Sequence, residues 1–181
     1  MIPVAKKLQN GTELVVRRAQ VGDEHRFAEV SRLCYLETRF LSRCEEDECS
    51  SAESMREWIE EMEDAQKEIQ LVALVDGLLV GNGSITACLD RKKMKHKCDV
   101  NVAVLKEYWH LGIGKTMMEV LMEFARGAGY EQVNLNVASD NLRAIRLYEY
   151  LGFEESGREL HAMKHADGDY SDFVFMTKFL I

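Results

Sequence analysis

The segment Gly112-Ile113-Gly114-Lys115-Thr116 has the composition of an anion-binding turn. Val100, Val102 and Val104 precede it at the two-residue spacing of a strand, and apolar residues follow it at helical spacing. The first N–H groups of a helix have no acceptor inside the helix and lie at the positive end of its dipole. Glycine lets a phosphate come close to those groups. The segment therefore predicts a site for a phosphorylated ligand.

Two common phosphate-binding turns do not fit this spacing. A P-loop needs a glycine five positions before Gly114, where the chain has Trp109. A dinucleotide-binding fingerprint needs a small residue three positions after Gly114, where the chain has Met117. Two alternatives remain open: another kind of phosphate-binding turn, or a tight strand-to-helix turn without a ligand.

A second segment places functional side chains on one face of a predicted helix. Ser139 or Asp140 is the expected N-cap, and Gly152 is the expected C-terminal stop. Positions separated by seven residues lie about two turns apart on the same face. This face carries an amide, a small residue and a phenol, from Asn141, Ala144 and Tyr148.

Together the two segments resemble the signatures of the GNAT N-acetyltransferases. Residues 109–114 resemble the acetyl-CoA motif Arg/Gln-x-x-Gly-x-Gly/Ala, except that Trp109 stands where the family usually has Arg or Gln. Residues 141–153 resemble the second signature, Asn-x-x-Ala-x-x-x-Tyr-x-x-x-Gly-Phe. The resemblance implies a single α/β (α+β) domain whose mixed sheet of about seven strands has helices on both faces. Two parallel strands of that sheet would splay apart to form the acetyl-CoA cleft.

The resemblance also implies roles for individual residues. The pyrophosphate of acetyl-CoA would lie on residues 111–116, and the pantetheine arm would pair with residues 102–104 and bond to Asn141. Tyr148 would be the catalytic residue that donates a proton to the CoA sulfur. The residues assigned to the cofactor are Val102, Ala103, Val104, His110, Leu111, Gly112, Ile113, Gly114, Lys115, Thr116 and Asn141.

The general base stays unassigned at this stage. Asp99, Glu37 and His25 are candidates, but each is better explained as a surface or structural group. A chain of water molecules is the alternative.

Composition and charge restrict the class of partner. The net charge of −8 argues against nucleic acid and favours cationic ligands such as amines. The sequence has no apolar run of membrane-spanning length and no signal-peptide core near its start, which favours a cytoplasmic protein without membrane contact. Five cysteines without a CxxC motif indicate free thiols and no metal site. A homodimer is left open.

These motifs must be positioned by the elements around them. The length of 181 residues suggests one domain, predicted as 13–181 after a loose lead-in, 1–12. A strand near Leu14 and two helices, 23–41 and 54–68, come first. The acidic residues 45–48 between the helices are predicted to be a solvated loop, and the alternative is a lip that gathers cationic substrate. The remaining predicted elements are a hairpin around Asp76-Gly77, a right-handed crossover (100–104, 112–128, 132–137), a strand at 154–161, and a strand at 173–180 inside the sheet.

The predicted function is transfer of an acetyl group from acetyl-CoA to a primary amine of a small molecule. The acceptor class would be amino acids, polyamines or similar amines, attacked directly in a ternary complex. Residues 157–172 resemble the ending of small-amine and amino-acid acetylating relatives, but a plain hairpin explains them equally well. Two other functions stay open: acetylation of a protein or peptide amine, and non-catalytic sensing of acyl-CoA.

Overall fold

Eight strands and four α-helices form the described part of the chain, residues 2–42, 51–88 and 91–180 of the computed structural model. Their order is β1 (Val4–Lys7), β2 (Glu13–Arg18), α1 (Glu24–Glu37), α2 (Ala52–Glu63), β3 (Ile69–Val75), β4 (Leu78–Ala87), β5 (Lys97–Val104), α3 (Ile113–Gly127), β6 (Gln132–Ala138), α4 (Leu142–Tyr150), β7 (Glu154–Lys164) and β8 (Tyr170–Phe179). The predicted α/β fold is confirmed, with eight strands instead of about seven. Within the described ranges no helix is both long and apolar enough to cross a bilayer.

The strands form one mixed sheet in the order β1-β2-β3-β4-β5-β6-β8-β7. Every neighbouring pair is antiparallel except β5 and β6, which are parallel. These two strands pair only at residues 97–99 and 132–134, although β5 continues to Val104 and β6 to Ala138. Beyond that point they diverge, as the family resemblance predicts, and open a cleft in the middle of the sheet.

The sequence predicted a loose lead-in over residues 1–12, but residues 4–8 of this segment belong to the sheet and the core. β1 pairs with β2 from Val4 opposite Val16 to Lys7 opposite Glu13, and Leu8 is buried in the core. A four-residue strand is too short to show alternation in the sequence. The edge of β2, however, offers backbone groups that need partners. The sheet therefore begins at Val4.

The first predicted helix is shorter than its apolar spacing suggests. α1 ends at Glu37 because Thr38 is extended, with φ −149° and ψ 145°. Leu41 suggested a further helical turn, but it instead lines the cleft together with Phe40.

The second helix is also shifted from its predicted bounds of 54–68. It begins at Ala52 because Ser51 is its N-cap, whose hydroxyl accepts a hydrogen bond from the Ser54 N–H at 3.1 Å. The acidic residues 45–48, predicted to be a solvated loop or a lip that gathers cationic substrate, lie outside the described residues.

The apolar stripe of α3 packs into the core as predicted. Ile113, Met117, Val120 and Leu121 are each at most 6% exposed. Burying one side chain of this size contributes about 1.5–3 kcal/mol. This packing fixes α3 against the sheet and holds its N-terminus at the cleft.

The last strand lies inside the sheet, as predicted, between β6 and β7. Only one of its apolar faces is covered: Val174 and Met176 are buried, whereas Phe175 and Phe179 are exposed. The strand predicted for 154–161 continues to Lys164, past a register shift between Glu159 and Met163.

Two glycines, Gly81 and Gly83, let β4 approach β5 closely. A Cβ on Gly81 would lie 2.8 Å from the Ala103 carbonyl oxygen and 3.1 Å from Val104 Cγ2. We expect Gly81→Ala to lower the free energy of unfolding by about 2 kcal/mol, because overpacking forces the strands apart. The control is Gly127→Ala in α3, where nothing lies within 4 Å of the added carbon. It should raise that free energy by about 0.5 kcal/mol.

Urea denaturation of both variants measures these free energies. A Gly81→Ala protein as stable as wild type would contradict the close approach of β4 and β5.

Candidate active site

A cavity of about 350 Å³ lies at the divergence of β5 and β6. Its size is in the range of small-ligand pockets. Its lining comes from β5, the turn into α3, α4, and the end of α1 with the residues that follow. Most of the predicted site residues line it together: Val102, Ala103, Val104, His110, Gly112, Ile113, Gly114, Lys115, Asn141 and Tyr148.

The turn into α3 presents unpaired backbone amides to this cavity. Gly112 is the N-cap, in the left-handed region at φ 81°, and offers no side-chain cap. The first hydrogen bond of the helix runs from the Thr116 N–H to the Gly112 carbonyl at 3.0 Å. Helix geometry leaves the N–H groups of Ile113, Gly114 and Lys115 without an acceptor in the helix. These three groups can bind an anion.

Two residues assigned to the cofactor from the sequence do not line the cavity. Thr116 is 3% exposed, and both its N–H and its hydroxyl donate to the Gly112 carbonyl, each at 3.0 Å. Leu111 packs against the hydrophobic core. Thr116 therefore stabilises the turn from behind, and its donors are already used.

Asn141 is itself the N-cap of α4, a role that was predicted for its neighbours Ser139 or Asp140. Its Oδ1 accepts a hydrogen bond from the Ala144 N–H at 3.2 Å. The predicted caps are wrong because Ser139 accepts from the Asp172 N–H and Asp140 pairs with Arg39. The Nδ2 amide is the group that Asn141 can offer to a ligand in the cavity.

Tyr148 lies two turns further along α4, with its ring 6.0 Å from that of Phe153. Burial raises the pKa of its phenol to about 12, and the Arg143 guanidinium partly opposes this shift. The phenol is therefore fully protonated near pH 7, so Tyr148 can donate a proton but cannot serve as a base there.

Trp109 and Arg143 form a pair at the cavity that sequence reasoning did not connect. The Trp109 Nε1–H donates to the Val104 carbonyl at 2.7 Å, and Arg143 Cζ lies 3.6 Å from the centre of the indole ring. Burial lowers the pKa of the Arg143 guanidinium, while Tyr148 opposes this shift. The sequence shows an arginine beside Ala144 in the second motif, which could have suggested a charged group at the site. Its partner Trp109, however, lies more than thirty residues away in the chain.

Lys115 lines the cavity, but its ammonium group already has partners. Its Nζ donates to the Tyr150 hydroxyl at 3.1 Å and lies 3.8 Å from Glu119 Oε1. The hydrogen bond to Tyr150 is the main reason that the pKa of Lys115 is raised. This side chain is a fixed positive charge at the start of α3.

None of the three candidate bases lines the cavity. Glu37 accepts the Lys106 N–H at 2.6 Å, Asp99 lies in the paired part of β5, and His25 is exposed at the start of α1. Cys34 does line the cavity, but burial raises the pKa of its thiol to about 12. The thiol is thus neutral near pH 7 and is a poor nucleophile.

Comparisons with known proteins agree on one family. Residues 31–153 match the model described as the Acetyltransferase (GNAT) family. The L-amino acid N-acetyltransferase AaaT of Escherichia coli K12 is 28% identical over 67% of this chain and 74% of its own. The prophage-derived N-acetyltransferase YokL of Bacillus subtilis 168 is 36% identical over 68% of each chain. A GNAT-family acetyltransferase from Streptococcus pneumoniae superimposes with a TM-score of 0.86 at 28% identity, over 92% of this chain and 99% of the other.

Proposed function

The chain belongs to the GNAT acetyltransferase family and is an acetyl-CoA-dependent N-acetyltransferase, and on this premise we propose that its acceptor is a primary amine of a small molecule. Amino acids and polyamines are the expected classes. A relative with 28% identity is named for L-amino acid acetylation, which supports the first of them.

The proposal of a small acceptor rests on the residues at and after the end of α1, which lie beside the assigned cofactor site. Cys34, Thr38, Phe40 and Leu41 line the same cavity as Tyr148 and the turn into α3. A cavity of about 350 Å³ bounded in this way suits a small amine beside a thioester.

We assign the cofactor to the polar groups of the cavity that have no partner in a helix or in the sheet. The amides of Ile113, Gly114 and Lys115 bind the pyrophosphate, because an anion there is favoured by the helix terminus. The edge of β5 beyond Asp99 is not paired with β6. Its backbone groups at residues 102–104 pair with the pantetheine amides like a short extra strand, and Asn141 donates from Nδ2.

When bound, acetyl-CoA supplies an acetyl thioester. Transfer of the acetyl group to the amine forms a nitrogen–carbon bond and breaks the carbon–sulfur bond. A backbone N–H of β5 stabilises negative charge on the carbonyl oxygen during this step. Tyr148 holds the proton that the departing sulfur takes up. Its phenol is a weaker acid than a thiol, so its position matters more than its acidity.

Direct attack by the amine agrees with the chemistry of the lining. Cys34 is the thiol among the described lining residues, and its neutral state near pH 7 gives it little tendency to carry the acetyl group itself. Among the described residues that line the cavity there is no Asp or Glu. A water chain therefore accepts the proton of the amine.

The pH dependence of turnover follows from the protonated state of Tyr148. Its pKa is raised to about 12, so the active, protonated form persists as the pH rises through 10. We expect kcat to increase with pH as the acceptor amine loses its proton, with no decline up to pH 10. A pH series of initial rates measures this profile. A decline of kcat with a midpoint below pH 10 would contradict Tyr148 as the proton donor.

A thiol-release assay tests the proposed acceptor class. Purified protein and acetyl-CoA are incubated with polyamines, amino acids, aminoglycosides and short peptides, each in a separate reaction. Thiol release with a small amine but not with peptides supports the proposal. Release with peptides alone replaces it with a protein acceptor, and CoA binding without release on any amine favours a sensor.

A further inference from the structure

The first residue of the motif at residues 109–114 has no side-chain hydrogen-bond donor available for a phosphate. Trp109 occupies that position, and its single side-chain donor, Nε1–H, is already bonded to the Val104 carbonyl at 2.7 Å. The indole is thereby fixed beside the turn into α3, three residues before Gly112. What it offers to the cavity is an aromatic face.

That face holds a guanidinium group. Arg143 Cζ lies 3.6 Å from the centre of the indole ring, within the range of a cation–π contact. Both side chains line the cavity. An arginine stacked in this way keeps its planar edge, with its N–H donors, free to bind a carboxylate or phosphate.

Arg143 has no acidic partner within the described residues. The nearest acidic residue in sequence, Asp140, lies 3.4 Å from Arg39 instead. Arg143 is an exposed residue, but its guanidinium is stacked on the indole at the ligand cavity, where a bound anion can supply its counter-charge.

We propose that Arg143, oriented by Trp109, binds a pyrophosphate oxygen of the cofactor at the turn into α3. This inference rests on the cofactor position in the proposed function, but not on the identity of the acceptor. The pyrophosphate is favoured over the 3′-phosphate because Trp109 directly precedes the turn whose amides hold it.

Calorimetric titration of Arg143→Gln with CoA tests the contact without measuring activity. We expect a dissociation constant about ten- to a hundredfold higher than that of wild type, because one charge-assisted hydrogen bond is lost. The matched control is Arg146→Gln, which removes the same charge from an exposed position on α4 outside the cavity. It should bind CoA like wild type.

Two shortened cofactors identify the phosphate involved. Dephospho-CoA lacks the 3′-phosphate, and Arg143→Gln should weaken its binding by the same factor as that of CoA. S-acetylpantetheine lacks the pyrophosphate, and its kcat/KM should be equal in wild type and variant. Loss of the effect with dephospho-CoA would assign Arg143 to the 3′-phosphate and overturn the proposal. An equal defect with S-acetylpantetheine would also overturn it.

A double-mutant cycle tests the role of Trp109 as a positioning residue. Trp109→Leu removes the aromatic face and should weaken CoA binding several-fold in the presence of Arg143. It should have little further effect in Arg143→Gln, because the two residues act as a unit. Additive effects would overturn the coupling. Wild type that binds CoA but acetylates no small amine would refute only the proposed acceptor.

Discussion

Tyr148→Phe is expected to lower kcat about a hundredfold while the dissociation constant of CoA changes less than about threefold. The substitution removes one oxygen atom and leaves the ring that packs 6.0 Å from Phe153. The fold and the cofactor site should therefore be preserved. What would be lost is the proton that Tyr148 is proposed to hold for the departing sulfur.

The expected loss is large because a proton donor acts only within hydrogen-bond reach of the sulfur, and Tyr148 is the group assigned to that place. Cys34 has a pKa of about 12 as well, but it lies on α1 at the end of the cavity assigned to the acceptor. The described lining contains no carboxylic acid. Water can still protonate the thiolate, which leaves a residual rate.

Tyr130→Phe is the matched control for this prediction. Tyr130 is also buried, with its phenol pKa raised to about 12, but it does not line the cavity. Its loss of one oxygen should leave kcat unchanged. Thiol release measures turnover, and calorimetry measures CoA binding. A Tyr148→Phe enzyme with wild-type kcat would refute the assignment.

Local patterns predicted the elements closest to the site. The strand, the glycine turn and the stripe of α3 are all encoded within about 25 residues, so period and glycine placement were sufficient. The divergence of β5 from β6 came from the family resemblance. No sequence pattern in β5 or β6 predicts the residue at which their pairing ends.

Features that depend on distant partners were not predictable in this way. β1 is a strand because β2 has a free edge. β7 extends to Lys164 because β8 pairs beyond a bulge, where His161 has a positive φ of 53° and its N–H bonds to Asp172. The Trp109–Arg143 contact joins two motifs across the cavity.

Gly114→Asp is expected to raise the dissociation constant of CoA at least about a hundredfold. The carboxylate would stand at the first turn of α3, where the amides of Ile113 to Lys115 are assigned to the pyrophosphate. Two unit charges 4 Å apart repel by about 4 kcal/mol at an effective dielectric constant of 20. Screening reduces this value, so a hundredfold is a conservative expectation.

Misfolding is a poor explanation for such a loss. The closest atom to a Cβ added at Gly114 is Leu147 Cδ2 at 4.0 Å, and Gly114 does not have a positive φ. An acidic residue in the first turn also stabilises a helix through its dipole. The thermal midpoint of Gly114→Asp should therefore match or exceed that of wild type.

Gly114→Asn separates the charge of the new side chain from its size, because the two side chains have nearly the same shape. We expect the asparagine variant to weaken CoA binding much less than the aspartate variant, and the difference to shrink at high salt. Calorimetry at two salt concentrations measures both effects. Equal affinities of the two variants would show that no phosphate lies at this turn, and the cofactor would have to be placed elsewhere in the cleft.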